Sequence, residues 1–194
     1  MNGFNGIPRD HMLSLAEFTL QDIPRLIQWI PDARFLLQWS GPQYRFPLGA
    51  ERIIETLEQT KPRPQTYFIF KALRTLDYEV VGHVELSRVD RLARTGHICR
   101  LLVGRPDWRG KGYGAEILRL LIEFGFETLT LDIMTLNVFT NNSPAIKCYR
   151  NLGFEPQELK TAAAAIGSES WDCLKMKLHR AQWRSREDAR AHAS

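Results

Sequence analysis

Apolar residues along the chain follow two periods, one near 2 and one near 3.6, and the switching between them predicts strands interleaved with helices. Leu15 to Leu20 reads as a first strand. From Gln21 to Trp29 the residues Ile23, Leu26, Ile27 and Ile30 fall at helical spacing, and Pro31 ends that helix. Arg34 to Trp39 reads as a further short helical turn, Ser40-Gly41-Pro42 and Phe46-Pro47 break the chain into a loop, and a helix covers Gly49 to Gln59. Tyr67 to Ala72, Val80 to Arg88 and Gly96 to Val103 alternate as consecutive strands joined by polar connections, which predicts an antiparallel meander. The clearest helix runs from Gly112 to Thr128, with Tyr113, Ile117, Leu120, Leu121 and Phe124 on one face. Met134 to Phe139 reads as a buried strand. A short helix then starts at Ser143 as N-cap with Pro144 at its first position, and Gly153 supplies the left-handed residue past its end. Phe154 to Leu159 and Trp171 to Leu178 complete a mixed sheet. The fold class is therefore α/β with α+β character.

With 194 residues, 44% hydrophobic and 25% charged, the composition is that of a globular domain able to build its own core, and excludes disorder, collagen and coiled coil. No apolar run reaches the roughly 20 residues a membrane span needs, and Met1 to Gly6 lacks a basic segment followed by an apolar one. The expectation is a soluble, cytoplasmic protein. The net charge of +4 is concentrated near the C-terminus, where Lys175, Lys177, Arg180, Arg184, Arg186 and Arg190 face only Glu187 and Asp188. A basic tail can touch RNA or an anionic surface, but a solvated terminal helix explains it as well, and the body offers no basic stripe, so no nucleic acid partner is expected. Cys99, Cys148 and Cys173 show no C-x-x-C spacing and the histidines no H-E-x-x-H pair, so neither a disulfide framework nor a metal site is predicted.

Chemistry is concentrated between Val103 and Gly114, where a glycine-rich junction joins a strand to the strongest helix. Small residues let successive amides turn inward, and the helix N-terminus adds its positive dipole end to the same point. Arg109 and Lys111 add full charges, so a pyrophosphate is the natural ligand. The P-loop pattern does not fit, because Gly104 and Gly110 are too far apart and Lys111 is followed by glycine. The dinucleotide pattern G-x-G-x-x-G does not fit either: Gly110, Gly112 and Gly114 run G-x-G-x-G, late in the chain. A plain flexible turn leaves the cations before and within the glycines unexplained.

Arg109-Gly110-Lys111-Gly112-Tyr113-Gly114 matches R/Q-x-x-G-x-G/A, and downstream Asn142, Ala145, Tyr149, Gly153 and Phe154 reproduce N-x-x-A-x-x-x-Y-x-x-x-G-F. On these motifs the sequence resembles the GNAT superfamily of N-acetyltransferases, in the branch of the ribosomal-protein alanine acetyltransferases, most strongly from Val80 to Phe154. The resemblance implies a single N-acetyltransferase domain over residues 1–180 with a basic tail over 181–194. It implies a central mixed sheet of six to seven strands with flanking helices and two splayed parallel strands, ending at Val103 and Val138. Acetyl-CoA is implied as co-substrate, without a metal, and with it direct acetyl transfer. Backbone groups of Leu101, Leu102 and Val103 would hold the pantetheine arm, the amides of Arg109 to Gly114 the pyrophosphate, Asn142 the pantetheine region, and Tyr149 would face the sulfur as general acid.

The chemistry is consistent with these roles. A thioester attacked by an amine needs a neutral nucleophile, a polarised carbonyl and a proton for the departing thiolate, and no covalent enzyme intermediate. Tyr149 also fits an ordinary core aromatic beside Ala145 and Leu152, and Cys148 a small core residue. Glu85 is the best carboxylate for a general base, with His83 and His97 behind it, although each also fits a paired sheet residue and water or a backbone relay can serve instead. Trp39 and Tyr44, with Trp29, Phe46 and Trp171, are candidates for an acceptor pocket, or simply cap the core. The acceptor is then a small-molecule amine or a peptide N-terminus, in a monomer or homodimer; a non-catalytic acyl-CoA-binding module is the remaining alternative.

Overall fold

The computed structural model describes residues 12–191. Strand β1 (Leu13–Glu17) and helices α1 (Ile23–Gln28), α2 (Ala33–Ser40) and α3 (Ala50–Glu58) precede three strands, β2 (Phe68–Arg74), β3 (Val80–Asp90) and β4 (Thr95–Val103). Then follow α4 (Tyr113–Glu123), β5 (Ile133–Phe139), α5 (Ser143–Asn151), β6 (Glu155–Ile166), β7 (Glu169–His179) and α6 (Arg180–Ala191). All seven strands form one sheet in the order β1-β2-β3-β4-β5-β7-β6. Its pairings are antiparallel except β4 with β5, which run parallel.

The pleat sends neighbouring residues to opposite faces, and the two faces carry separate cores. Ile69 packs with Phe18, Leu26, Leu36 and Ile53 under α1 to α3, while Phe70 packs with Ile117, Leu121 and Phe126 under α4. The three helices built from the first third of the chain thus cover one face, and α4 with α6 covers the other.

Several boundaries depart from the periodicity. β1 starts at Leu13 and ends at Glu17, because Thr19 and Asp22 form a capping box that turns the chain into helix before Leu20 can join the strand. The α4 helix stops at Glu123 and continues as a wider π turn over Phe124–Thr128. β6 runs on to Ile166, past the low strand propensity of its alanines, because Ala164, Ala165 and Ile166 pair with Trp171, Ser170 and Glu169 across a tight turn. The basic C-terminal segment is a docked helix: Trp183 is 3% exposed in the α4 core, Arg184 pairs with Glu127 at 2.9 Å, and Arg119 pairs with Glu187. Its cations are thus partly spent on intramolecular pairs. Met1 to Gly6 and residues 192–194 lie outside the described residues.

Candidate active site

The parallel ladder is short. Thr95 to Ile98 pair with Ile133 to Leu136, and beyond those residues β4 and β5 separate. The opening coincides with a bulge in β4: Glu85 of β3 pairs with Cys99 and His83 with Leu102, leaving an extra residue on β4, and Arg100 takes a left-handed φ of +51°. The bulge changes which side the strand presents. Ile98 packs in the α4 core, whereas Leu102 packs under α1 to α3, although four residues of regular strand would keep them on one face.

Arg100 is 8% exposed and sits in a polar cluster on the α1 to α3 side. Its guanidinium donates to Glu85, to Gln43, and to the Tyr67 hydroxyl at 2.6 Å, and lies 4.6 Å over the Tyr44 ring. Glu85 is 2% exposed and fully engaged: His83 Nε2 donates to it at 2.9 Å, the Tyr67 hydroxyl donates to it, and Cys99 Sγ lies 3.9 Å away. Burial pushes the Glu85 carboxyl up, but the His83 hydrogen bond and the Arg100 charge together outweigh burial and hold it below its ordinary value. The same burial, with the Glu85 charge, lifts the Cys99 thiol to about 11 and keeps it protonated at neutral pH.

On the α4 side of the opening the sequence motifs meet. Leu101, Leu102, Val103, Asn142 and Tyr149 line one cavity with Arg109, Gly110, Gly112 and Gly114. Gly110 and Gly112 have φ of +75° and +88°, and Gly112 is the N-cap of α4, so the loop turns its amides toward the helix end in a conformation few other residues adopt. A Cβ on Gly114 would lie 3.7 Å from the Val103 side chain, an ordinary contact, so loop and strand pack closely there without requiring a glycine. The Arg109 guanidinium hydrogen-bonds the carbonyls of Val103 at 3.3 Å and Gly104 at 3.1 Å and stacks 4.9 Å from Phe35, so it fastens the loop to the end of β4. Lys111 and Tyr113 do not line the cavity.

The N-cap of α5 is Asn142 rather than Ser143; its Oδ1 accepts from the Ala145 amide at 3.3 Å, which places Ser143 and Pro144 in the first turn. This leaves the side-chain NH₂ of Asn142 to donate into the cavity. About two helical turns further on, Tyr149 lines the same wall, its ring 6.1 Å from that of Phe154, and its hydroxyl has no hydrogen-bond partner among the described residues. Burial pushes its phenol well up, so it stays protonated at neutral pH. Cys148 lines the wall beside it with a thiol that burial also raises, which disfavours its thiolate form.

A second cavity opens on the other side of the splay and shares Gln38, Trp39, Cys99, Arg100, Asn137 and Val138 with the first. Trp39 donates its Nε1–H to the Arg100 carbonyl at 2.9 Å and so holds the bulge. Tyr44, expected in an acceptor pocket, lines neither cavity; its hydroxyl meets Thr56 at 2.6 Å and its ring supports Arg100. Glu85 is likewise behind the wall, with Tyr67 and Cys99 between it and the cavity. Trp29 fills the space beside Gly104, Phe46 is 46% exposed, and Trp171 packs on Phe139 at 5.2 Å. His97 lines the second cavity, its Nδ1 2.9 Å from the Thr135 hydroxyl. Arg100, Tyr67, Gln38 and Asn137 are the site residues that the motifs do not mark. For Arg100 the one sequence signal is the run Arg100-Leu101-Leu102-Val103, whose successive apolar residues break a strict alternation.

A splayed parallel pair, a bulged strand and a glycine loop at a helix start together define a sheet that opens into two halves around an elongated cavity. The chain belongs to the acetyltransferase (GNAT) family, which it matches over residues 33–154. It is 33% identical over 81 residues to the L-amino acid N-acetyltransferase AaaT of Escherichia coli K12, covering 41% of this chain and 49% of that protein. It is 28% identical over 109 residues to the uncharacterized N-acetyltransferase YokL of Bacillus subtilis, covering 56% and 59%. The chain thus spans about half the length of these relatives. The crystal structure of spermidine N-acetyltransferase from Vibrio cholerae in complex with CoA and spermine superposes with a TM-score of 0.76 at 17% identity, over 89% of this chain and 98% of that one. At that identity the likeness establishes the fold. AaaT is named for L-amino acids and the Vibrio cholerae enzyme for spermidine.

Proposed function

We propose that this chain is an acetyl-CoA-dependent N-acetyltransferase that passes the acetyl group directly to a primary amine. The observation that carries the reading is the convergence of the glycine loop, the unpaired end of β4, Asn142 and Tyr149 on one cavity that meets a second through the splay. The residues fit the co-substrate: left-handed Gly110 and Gly112 aim amides at a point where phosphate oxygens can be received, and the NH₂ of Asn142 has no other partner among the described residues. Acetyl-CoA supplies an acetyl thioester. The chain supplies the backbone N–H groups of the bulged β4 segment for the carbonyl oxygen and the Tyr149 hydroxyl for the leaving sulfur. Glu85 is read as structural rather than as the base, since its carboxylate oxygens are enclosed by His83, Arg100 and Tyr67 and these partners lower its affinity for a proton. The neutral amine then comes from loss of a proton to water. Three free cysteines suit a reducing, cytoplasmic setting.

The direct test is a thermal shift. Ligand that binds only the native state stabilises by about 2.7 kcal/mol at 100 times Kd, so saturating acetyl-CoA should raise Tm by roughly 5–10 °C in a chain of this size. Millimolar CoA and acetyl-CoA without effect on Tm would sink the assignment. The loop has its own test in Gly112→Asp. No atom lies within 4 Å of the point a Cβ would occupy there, and aspartate is among the residues that tolerate a left-handed φ, so the fold should lose only about 1 kcal/mol. The new anion beside the phosphate position should weaken CoA binding about 30-fold or more, the equivalent of ~2 kcal/mol. Wild-type CoA affinity in that folded variant, read by calorimetry, would refute the loop as the pyrophosphate site.

A further inference from the structure

We propose that the acceptor is an amine that carries a carboxylate, of the free amino acid class, and that the cationic wall formed by Arg88, Lys160 and Lys175 holds its acid group. The inference rests on the acetyl-transfer reading and names the acceptor for it. The three cations come from three different strands, β3, β6 and β7, and line the acceptor cavity on the side away from the cofactor. Arg88 stands at a second irregularity of the β3–β4 ladder, between Ser87 and Asp90, with a left-handed φ of +51°. None of the three takes part in an ion pair among the described residues. The cavity lining contains one carboxylate, Glu158, which faces Lys175 across the β6–β7 ladder. Arg100 adds no uncompensated charge, because Glu85 answers it.

The potential of this wall reaches inside the cavity. His97 is held down at about 4 by burial and by the charges of Arg88 and Lys175, so its ring is neutral at physiological pH. A polyamine would bring several ammonium groups into the same field. Among the described residues the aromatics that line this cavity are already engaged: Trp39 packs against Tyr44 at 6.2 Å and His83 at 5.7 Å, Phe139 against Trp171 at 5.2 Å, and the Tyr67 hydroxyl bonds Glu85 and Arg100. An amino acid meets the field differently. Its carboxylate is drawn to the cations, and the surrounding positive charge favours the neutral form of its amine. The amine gives one proton to water and its lone pair to the thioester carbonyl carbon. The C–N bond forms as the C–S bond breaks, the thiolate leaves hydrogen-bonded to the Tyr149 hydroxyl and takes a proton from water, and the amide nitrogen sheds its second proton to water.

The test pairs L-alanine, L-aspartate and L-phenylalanine with their carboxamides, and adds spermidine. Acetylation is followed by release of free CoA thiol, and binding to the CoA-saturated protein by calorimetry. The best acid should exceed its carboxamide and spermidine by about tenfold or more in both kcat/KM and affinity. Lys175→Glu and Arg88→Glu should each erase most of that preference, with CoA affinity unchanged. A carboxamide or spermidine that equals or exceeds the acid in both readouts overturns this inference and leaves acetyl transfer standing. Acetylation of no amine by protein that binds acetyl-CoA overturns the transfer reading, and this one with it.

Discussion

Tyr149→Phe is expected to lower kcat roughly 10- to 1000-fold, the range in which a single general acid contributes and water partly substitutes. A phenol that burial pushes well up stays protonated at neutral pH and so keeps a proton to donate; because the thiol, near 8.5 in water, is the stronger acid, the hydroxyl acts by hydrogen-bonding the charge that builds on the departing sulfur, and solvent completes its protonation. KM for acetyl-CoA should change little, because the proton is needed in the transition state and not for binding. Stability should change by less than about 1 kcal/mol, since the hydroxyl has no protein partner to lose among the described residues and the ring keeps its packing with Phe154. Single-turnover kinetics make the comparison, so that product release does not mask the step. An unchanged chemical rate would return Tyr149 to the role of a core aromatic.

Arg100→Met should destabilise the fold by about 3–5 kcal/mol, the usual consequence of removing one member of a buried ion pair. The methionine roughly keeps the volume but strands Glu85 in a site it can occupy ionised only with that cation. The pH dependence separates this from a packing defect. Glu85 is held below its ordinary carboxyl value of 4.5, so its contribution is present above that pH and is lost as pH falls through the lowered folded-state value. In the variant, burial no longer opposed by Arg100 lifts the carboxyl, and protonation then relieves the unpaired charge. The gap in Tm between wild type and variant should therefore narrow as pH drops toward 5. A gap that stays constant from pH 8 to 5 would show that lost packing, not stranded charge, is the cause. Arg100→Met, Glu85→Gln combined should recover part of the loss.

What was legible in the sequence was local. The glycine loop could be read because its conformational demands and charges lie within one hexapeptide at a strand–helix junction, and Asn142 with Tyr149 because helical spacing alone puts both on one wall. A mixed sheet with its antiparallel meander followed from the order of periodicities, whereas the count of six to seven strands and the splayed parallel pair came from the family resemblance. The Glu85–Arg100–Tyr67 cluster was not legible, since it joins the residue before β2 to β3 and β4 through a register that contains a bulge, and a one-residue shift decides which face Arg100 enters. Tyr44 was misplaced for the same reason: its ring belongs to Arg100, a partner 56 positions away in the chain that no spacing rule connects to it. The docking of α6 depends on one aromatic, Trp183, in a stretch otherwise polar, too little to register as an amphipathic stripe.

Because β4 and β5 stop pairing after Ile98 and Leu136, the sheet carries two strand edges in its interior, where most folds confine edges to the rim or cover them. An exposed edge invites any extended chain to add itself as a new strand. Here α2 and the loop before α4 are tied to the edge of β4, with Trp39 and Arg109 fixed to the backbone at the Arg100 and Val103–Gly104 carbonyls, so both flank the breach. A ligand whose amide groups mimic a peptide, as those of the proposed co-substrate do, would fill this strand vacancy from within the sheet.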